Sequence, residues 1–245
     1  MSSKVRINRY LAQAGFGSRR KCEELIRRGA VSINGNQVET LSATVDPDRD
    51  VVSVHGEPVA GFEKPVILVL NKPAGVISAV TDSFNRKTVI EIAREKGYRE
   101  RIFPVGRLDF DTTGILLLTN DGEMANRLTH PRYKIDKTYL VTVEGDVPER
   151  TAVCIAGGIR REDFTTQPCR VEIVKRAKNS TDLVVTLKEG KKRQVKKMFD
   201  LFGHRVVRLH RSAIGGMTFG DLAEGDVRPL RPGEERKLRT LLGLS

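Results

Sequence analysis

Residues 106–122 read GRLDFDTTGILLLTNDG, and this stretch limits the fold more than any other. Four consecutive apolar residues, Ile115–Leu118, are closed by the turn-forming Thr-Asn-Asp-Gly. A run this short and unbroken, bounded by turn signals, fits a buried strand. It falls far short of the roughly 20 residues a membrane-spanning helix needs. Ahead of the strand, Gly106 and Gly114 bound a loop that carries Arg107, Asp109 and Asp111. A carboxylate in such a loop can cap a turn, or it can be catalytic. The Asp-x-Asp spacing is also compatible with Mg²⁺. In an extended register Arg107, Asp109 and Asp111 would share one face. The loop alone leaves these readings open.

The rest of the chain falls into two units, 1–62 and 63–245, joined by a short linker at Gly61–Pro65. In the first unit, Ile7, Leu11 and Ala14 form a helical stripe. Ser18 is placed to cap a second helix that ends at Gly29 and buries Cys22, Leu25 and Ile26. Asn34-Gly35 is a strong hairpin signal, and His55-Gly56 marks another turn. The second unit alternates strands and helices. VILVL at 66–70 ends in a Lys-Pro-containing turn, KTYLVTV alternates in strand fashion, and two strand patterns follow between 167 and 190. A helical stretch over 191–204 turns Val195, Met198, Phe199 and Phe202 inward, and a last helix closes the chain. The pattern predicts an α+β fold. A small N-terminal module precedes a larger domain with a mixed, mainly antiparallel sheet flanked by helices.

Charge narrows the partner. The net charge is +12, which suits a polyanion. Residues 1–30 hold eight Lys and Arg against two Glu. The second helix exposes Arg19, Arg20, Lys21, Arg27 and Arg28. Residues 185–215 hold nine Lys and Arg against two acids. Lys191, Lys192, Arg193, Lys196 and Lys197 are expected at a helix start, where the dipole is already positive, so phosphate contacts would relieve their repulsion. There is no Trp and there are four Tyr. That is poor for sequence-tolerant single-strand binding and better matched to a structured RNA. Three separated cysteines, Cys22, Cys154 and Cys169, indicate neither a disulfide framework nor a zinc site. They fit a reducing cytoplasm, and the N-terminus shows no signal-peptide hydrophobic region. From residues alone the chain reads as a basic RNA-binding protein with a carboxylate site. Enzyme and non-catalytic assembly factor both remain possible.

The motifs resemble one family closely. GRLDFDTTGILLLTNDG, KTYLV at 137–141, and KEGKKRQVKKMF with GHRVVRLHRSAIGG match, in order, the three signatures of the RsuA family of ribosomal RNA pseudouridine synthases. RINRYLAQAGFGSRRKCEELIRRGAVSINGNQV resembles an S4 RNA-binding domain. The resemblance implies an isomerase that flips a uridine out of folded ribosomal RNA, cleaves N1–C1′ and joins C5 to C1′. It implies Asp109 as nucleophile, Tyr139 as the residue stacking on uracil, and Lys196 as the cation paired with Asp109. Leu209 would pack on the base and Arg107 would fill the vacated stack, with Arg193 also on the substrate. Arg19, Arg20, Lys21, Arg27, Arg28, Lys191, Lys192 and Lys197 would contact RNA. No cofactor and no metal are implied, because reactant and product are isomers. The partner would be ribosomal RNA or a ribosomal subunit precursor. A cytoplasmic monomer is expected, with the length of the third-motif helix favouring 23S over 16S RNA.

Overall fold

The computed structural model describes residues 4–220 and 222–244. By its internal contacts the chain divides after Pro65, at the end of the expected linker.

The first unit is built from β1 (Val5–Arg6), α1 (Ile7–Gln13), α2 (Arg19–Arg27), β2 (Val31–Ile33), β3 (Asn36–Gln37), β4 (Thr44–Val45), β5 (Val52–Val54) and β6 (Glu57–Pro58). The Ser18 hydroxyl accepts from the Lys21 amide at 3.2 Å, as an N-cap should. Asn34 and Gly35 both have positive φ, as do His55 and Gly56. That backbone matches the twist of the strands it joins, and it sets the sheet order β3-β2-β5-β6. Ile7, Leu11, Cys22, Ile26, Val31 and Val45 pack the core. Arg19, Arg20, Lys21 and Arg27 of α2 and its C-cap Arg28 stay exposed. Leu25 is half-buried rather than buried, because it lies at the edge of the α2 stripe.

The second unit contains β7 (Ile67–Lys72), α3 (Val89–Glu95), β8 (Phe103–Pro104), β9 (Thr113–Thr119), α4 (Gly122–Thr129), β10 (Lys137–Glu144), α5 (Glu149–Ala156), β11 (Arg170–Ala177), β12 (Ser180–Leu187), α6 (Gln194–Asp200), β13 (Val206–Ile214), β14 (Met217–Thr218), β15 (Val227–Pro229) and α7 (Pro232–Leu242). One mixed sheet runs β11-β12-β10-β13-β9-β7-β15. Its only parallel pairing along this order, among the described residues, is β9 with β13.

The apolar patterns follow from which faces are covered. β7 and β9 are buried on both sides, so their sequences are unbroken apolar runs. Leu68, Leu70, Leu116 and Leu118 face a core with α3, α5 and α6. Ile67, Val69, Ile115 and Leu117 face a second core with α4 and α7. In β10 only Tyr139, Val141 and Val143 are buried, so from Tyr139 onwards buried residues alternate with more exposed ones.

Gly114 lies where β9 enters the sheet, opposite Arg211 of β13. Its φ is +109°, and a Cβ there would overlap the backbone N and O of Arg211. Gly114→Ala therefore combines left-handed strain with a clash that no side chain can relieve. We expect a loss of about 3 kcal/mol. Thermal denaturation would show this as a fall of about 10 °C in the Tm of the 66–245 unit.

Two helical expectations change. Helix α6 begins at Gln194, with Arg193 as a left-handed N-cap at φ 53°. Lys191–Arg193 therefore form a turn before the helix, and only Lys196 and Lys197 lie within it. Phe202 lies past the end of α6 and is 39 % exposed, not inward. The i+7 position after Val195 reaches the core only if the helix continues, and it stops at Asp200.

Candidate active site

The loop between β8 and β9 is not extended. The Thr112 amide donates to the Asp109 carbonyl at 3.1 Å, closing a turn over residues 109–112. Arg107, Asp109 and Asp111 therefore do not share a face. Asp109 lines a cavity of about 240 Å³, whereas Asp111 turns towards α6 and meets the Lys196 ammonium at 2.5 Å.

This corrects the expected pairing. The cation on α6 binds Asp111, not Asp109. The reason is the turn, which sends carboxylates two residues apart in different directions. The hydrogen bond from Lys196 holds the Asp111 carboxyl below the usual carboxylate range. Lys196 itself is buried beneath the loop and is absent from the cavity wall. Asp109 and Asp111 thus meet different surroundings, one at the cavity and one at Lys196. Among the described residues there is no cluster of three or more His, Cys, Asp or Glu side chains arranged to hold a metal.

The cavity collects most of the other expected residues. Tyr139 of β10 and Leu209 of β13 supply an aromatic and an apolar wall. Arg107 comes from the loop between β8 and β9, and Lys191, Lys192 and Arg193 come from the turn before α6. Lys197 is exposed on the outer side of α6, with its ammonium 5.4 Å from the centre of the Phe164 ring. Arg19, Arg20, Lys21, Arg27 and Arg28 belong to the first unit. One carboxylate, one phenol, an apolar face and a ring of cations therefore surround a space of nucleobase size.

Buried polar contacts fix the two loops that carry these groups. Ser78 and Leu108 exchange hydrogen bonds: the hydroxyl donates to the Leu108 carbonyl at 3.0 Å and accepts from its amide at 3.1 Å. Gln194 donates to Glu189 at 2.6 Å and accepts from the Lys191 amide at 2.9 Å, bracing the basic turn. Arg193, which lines the cavity, holds a left-handed backbone at a cost of about 1 kcal/mol.

Sequence reasoning missed Lys72. It is fully buried at the end of β7. Its ammonium donates to the carbonyls of Pro73 and Thr112 at 2.8 Å and lies 3.4 Å from that of Phe110. It therefore clamps the Asp109 turn from below. The available signal was a lysine closing an otherwise apolar strand, and the following Pro-Ala-Gly drew the reading towards a turn. Burial lowers its pKa to about 8, with Asp111 and then Asp109 acting in the opposite sense.

Above that pKa the unfolded chain binds more protons at this group than the folded one, so stability contributed here rises with pH. We expect the unfolding free energy of the wild type to gain about 2 kcal/mol relative to Lys72→Met between pH 8 and 10.5. Denaturant titrations of both proteins across that range would read it directly.

Comparison with known proteins gives the class. The RNA pseudouridylate synthase family matches residues 66–201, and the S4 domain family matches residues 5–51. The chain belongs to the RNA pseudouridylate synthase family. It is an RNA pseudouridine synthase of the RsuA type, an isomerase carrying an S4 domain. Among its relatives, an uncharacterised RNA pseudouridine synthase of Aquifex aeolicus is 45 % identical, over 98 % of this chain and 96 % of that one. The ribosomal large subunit pseudouridine synthase B of Bacillus subtilis is 42 % identical, covering 96 % of each. The ribosomal small subunit pseudouridine synthase A of Escherichia coli is 37 % identical, over 92 % of this chain and 96 % of that one. A crystal structure of a pseudouridylate synthase superposes with a TM-score of 0.66 at 33 % identity, over 96 % of this chain and 99 % of that one. No helix among the described residues is long and apolar enough to cross a membrane.

Proposed function

We propose that this enzyme isomerises a specific uridine of ribosomal RNA, with Asp109 as the nucleophile. The observation that carries the reading is the convergence of Asp109, Tyr139, Leu209 and Arg107 on one cavity. C1′ and N1 are hidden while a base is stacked, so the nucleotide must leave the helix before chemistry begins. Tyr139 then stacks on the uracil, Leu209 packs against it, and Arg107 fills the gap left in the RNA. The Asp109 carboxylate acts at the electron-poor anomeric carbon as N1–C1′ breaks. The uracil rotates, C5–C1′ forms as the carboxylate is released from C1′, and the C5 proton is lost with help from the Tyr139 phenol. The proton returns to nitrogen, so the product is an isomer of the reactant.

Arg193, Lys191 and Lys192 hold the phosphates beside the flipped nucleotide, and the basic side chains of the first unit, with Lys197, also contact RNA. Lys196 supports the site through Asp111 and the 109–112 turn. On this reading the enzyme acts as a cytoplasmic monomer. Large-subunit RNA is the favoured target. The length of α6 does not support this, because it spans only Gln194–Asp200. The higher identity to the Bacillus subtilis large-subunit enzyme than to the Escherichia coli small-subunit enzyme does.

Mapping pseudouridines in 23S and 16S RNA from cells with and without this protein tests the assignment. One 23S position should revert to uridine in its absence. A missing modification in 16S RNA would reverse the choice of subunit, and no change in either would refute the ribosomal target.

A further inference from the structure

A second chamber, also about 240 Å³, adjoins the catalytic cavity and shares Gly106, Arg107, Tyr139, Gly190 and Lys191 with it. Its floor is apolar, from Leu117, Leu128 and Ile214, while Thr129 and Pro131 at its rim are exposed. Four cations line it: Arg107 and Lys191, shared with the catalytic cavity, and Lys137 and Arg211, which belong to this chamber alone. Arg211 is only 3 % exposed. Its Nε donates to the Ile115 carbonyl at 2.7 Å, but its buried Nη2 has no hydrogen-bond partner among the described residues. Lys137 reaches the Ile135 carbonyl at 3.2 Å. Burial, and then the charge of Arg211, lower its pKa.

One carboxylate lines this chamber among the described residues, that of Glu189, and its Oε1 is already engaged. It accepts from the Gln167 amide at 2.9 Å and from Gln194 Nε2 at 2.6 Å. A buried charged donor left unmatched is costly. Four cations against the single Glu189 carboxylate leave the void with an excess of positive charge, which suits an oxyanion. A guanidinium and an ammonium both suit phosphate.

We propose that this chamber seats a backbone phosphate of the substrate RNA, adjacent to the nucleotide whose base enters the catalytic cavity, with Lys137 and Arg211 as its ligands. The proposal rests on the base-flipping reading of that cavity. The two seats are built on the same strands. Lys137 and Tyr139 lie on β10, Leu209 and Arg211 lie on β13, and Tyr139 pairs with Arg211 across them. A phosphate held here would fix the ribose of the flipped nucleotide relative to Tyr139. It would do so without reading sequence, since backbone contacts position and base contacts specify.

The full-length enzyme serves for the test, with inorganic phosphate as one probe. As the other, the RNA that the enzyme modifies would carry a single methylphosphonate on either side of the target uridine. Lys137→Met is the main variant, because Arg211→Met also removes the tie to β9 and can fail to fold. Inorganic phosphate should raise the Tm of the wild type at constant ionic strength, and should not raise that of Lys137→Met. A methylphosphonate on one side should weaken RNA binding by the wild type about tenfold, as should Lys137→Met on unmodified RNA. Together they should cost no more than either alone. Additive losses, or no loss at either position, would overturn the proposal. Phosphate stabilisation without a methylphosphonate effect would mark a free-anion site and overturn the RNA assignment. The inorganic phosphate arm involves no catalysis, so its outcome is separable from failure of the ribosomal reading.

Discussion

Replacing Asp109 by Asn should abolish pseudouridine formation, by about 10⁴-fold or more, while RNA affinity stays within about twofold of the wild type. The amide keeps the size and shape of the carboxylate but carries no negative charge to offer C1′. Nothing else on the cavity wall replaces it, since Asp109 is the one carboxylate lining the space among the described residues. The informative control is Asp111→Asn. That side chain is 63 % exposed but its partner Lys196 is buried, so the substitution leaves a buried ammonium facing a neutral amide and costs about 1–3 kcal/mol of stability. Loss of the ion pair should lower turnover about tenfold at most, through a looser turn. Release of tritium from C5-labelled uridine under single-turnover conditions measures both variants. Equal loss in the two would show that the assignment of roles within the loop is wrong.

Neutralising Arg19, Arg20, Arg27 and Arg28 together should act on binding alone. All four are exposed, on α2 or at its C-cap, so folding should change by no more than about 0.5 kcal/mol each. If each meets a phosphate, the slope of log affinity against log salt falls by about 3, and affinity at moderate salt drops by about 10²–10³. Turnover of RNA already bound should persist, because the groups placed at the flipped nucleotide all lie in the second unit. Salt titrations of RNA binding, paired with single-turnover rates at saturating enzyme, separate the two effects. Loss of the chemical step with binding intact would refute this division of labour.

The secondary structure was legible because its causes are local. The runs at 66–70 and 115–118 reported strands covered on both faces, and the alternation in KTYLVTV reported one covered on a single face. Ser18, Asn34-Gly35 and His55-Gly56 acted through neighbouring backbone groups. The expectation of an extended loop at 107–111 failed because a hydrogen bond from Thr112 to Asp109 competes with extension, and side-chain spacing does not show it. The helix over 191–204 was drawn too long for a similar reason. Its periodicity could not show that Arg193 takes a left-handed backbone.

By itself, then, the amino-acid sequence determined the α+β architecture, the basic helix of the first unit and the cavity-lining groups carried by the motif resemblance. Only the tertiary structure decided which carboxylate meets the ammonium of α6, how Lys72 clamps the turn from below, and that Arg211 is left with an unanswered donor. Local signals act over one turn or one pair of strands. These contacts join residues separated by up to 96 positions, as Arg211 and Ile115 are. Their partners were chosen by how β7, β9 and β13 lie side by side, and a linear pattern of residue types carries no trace of that.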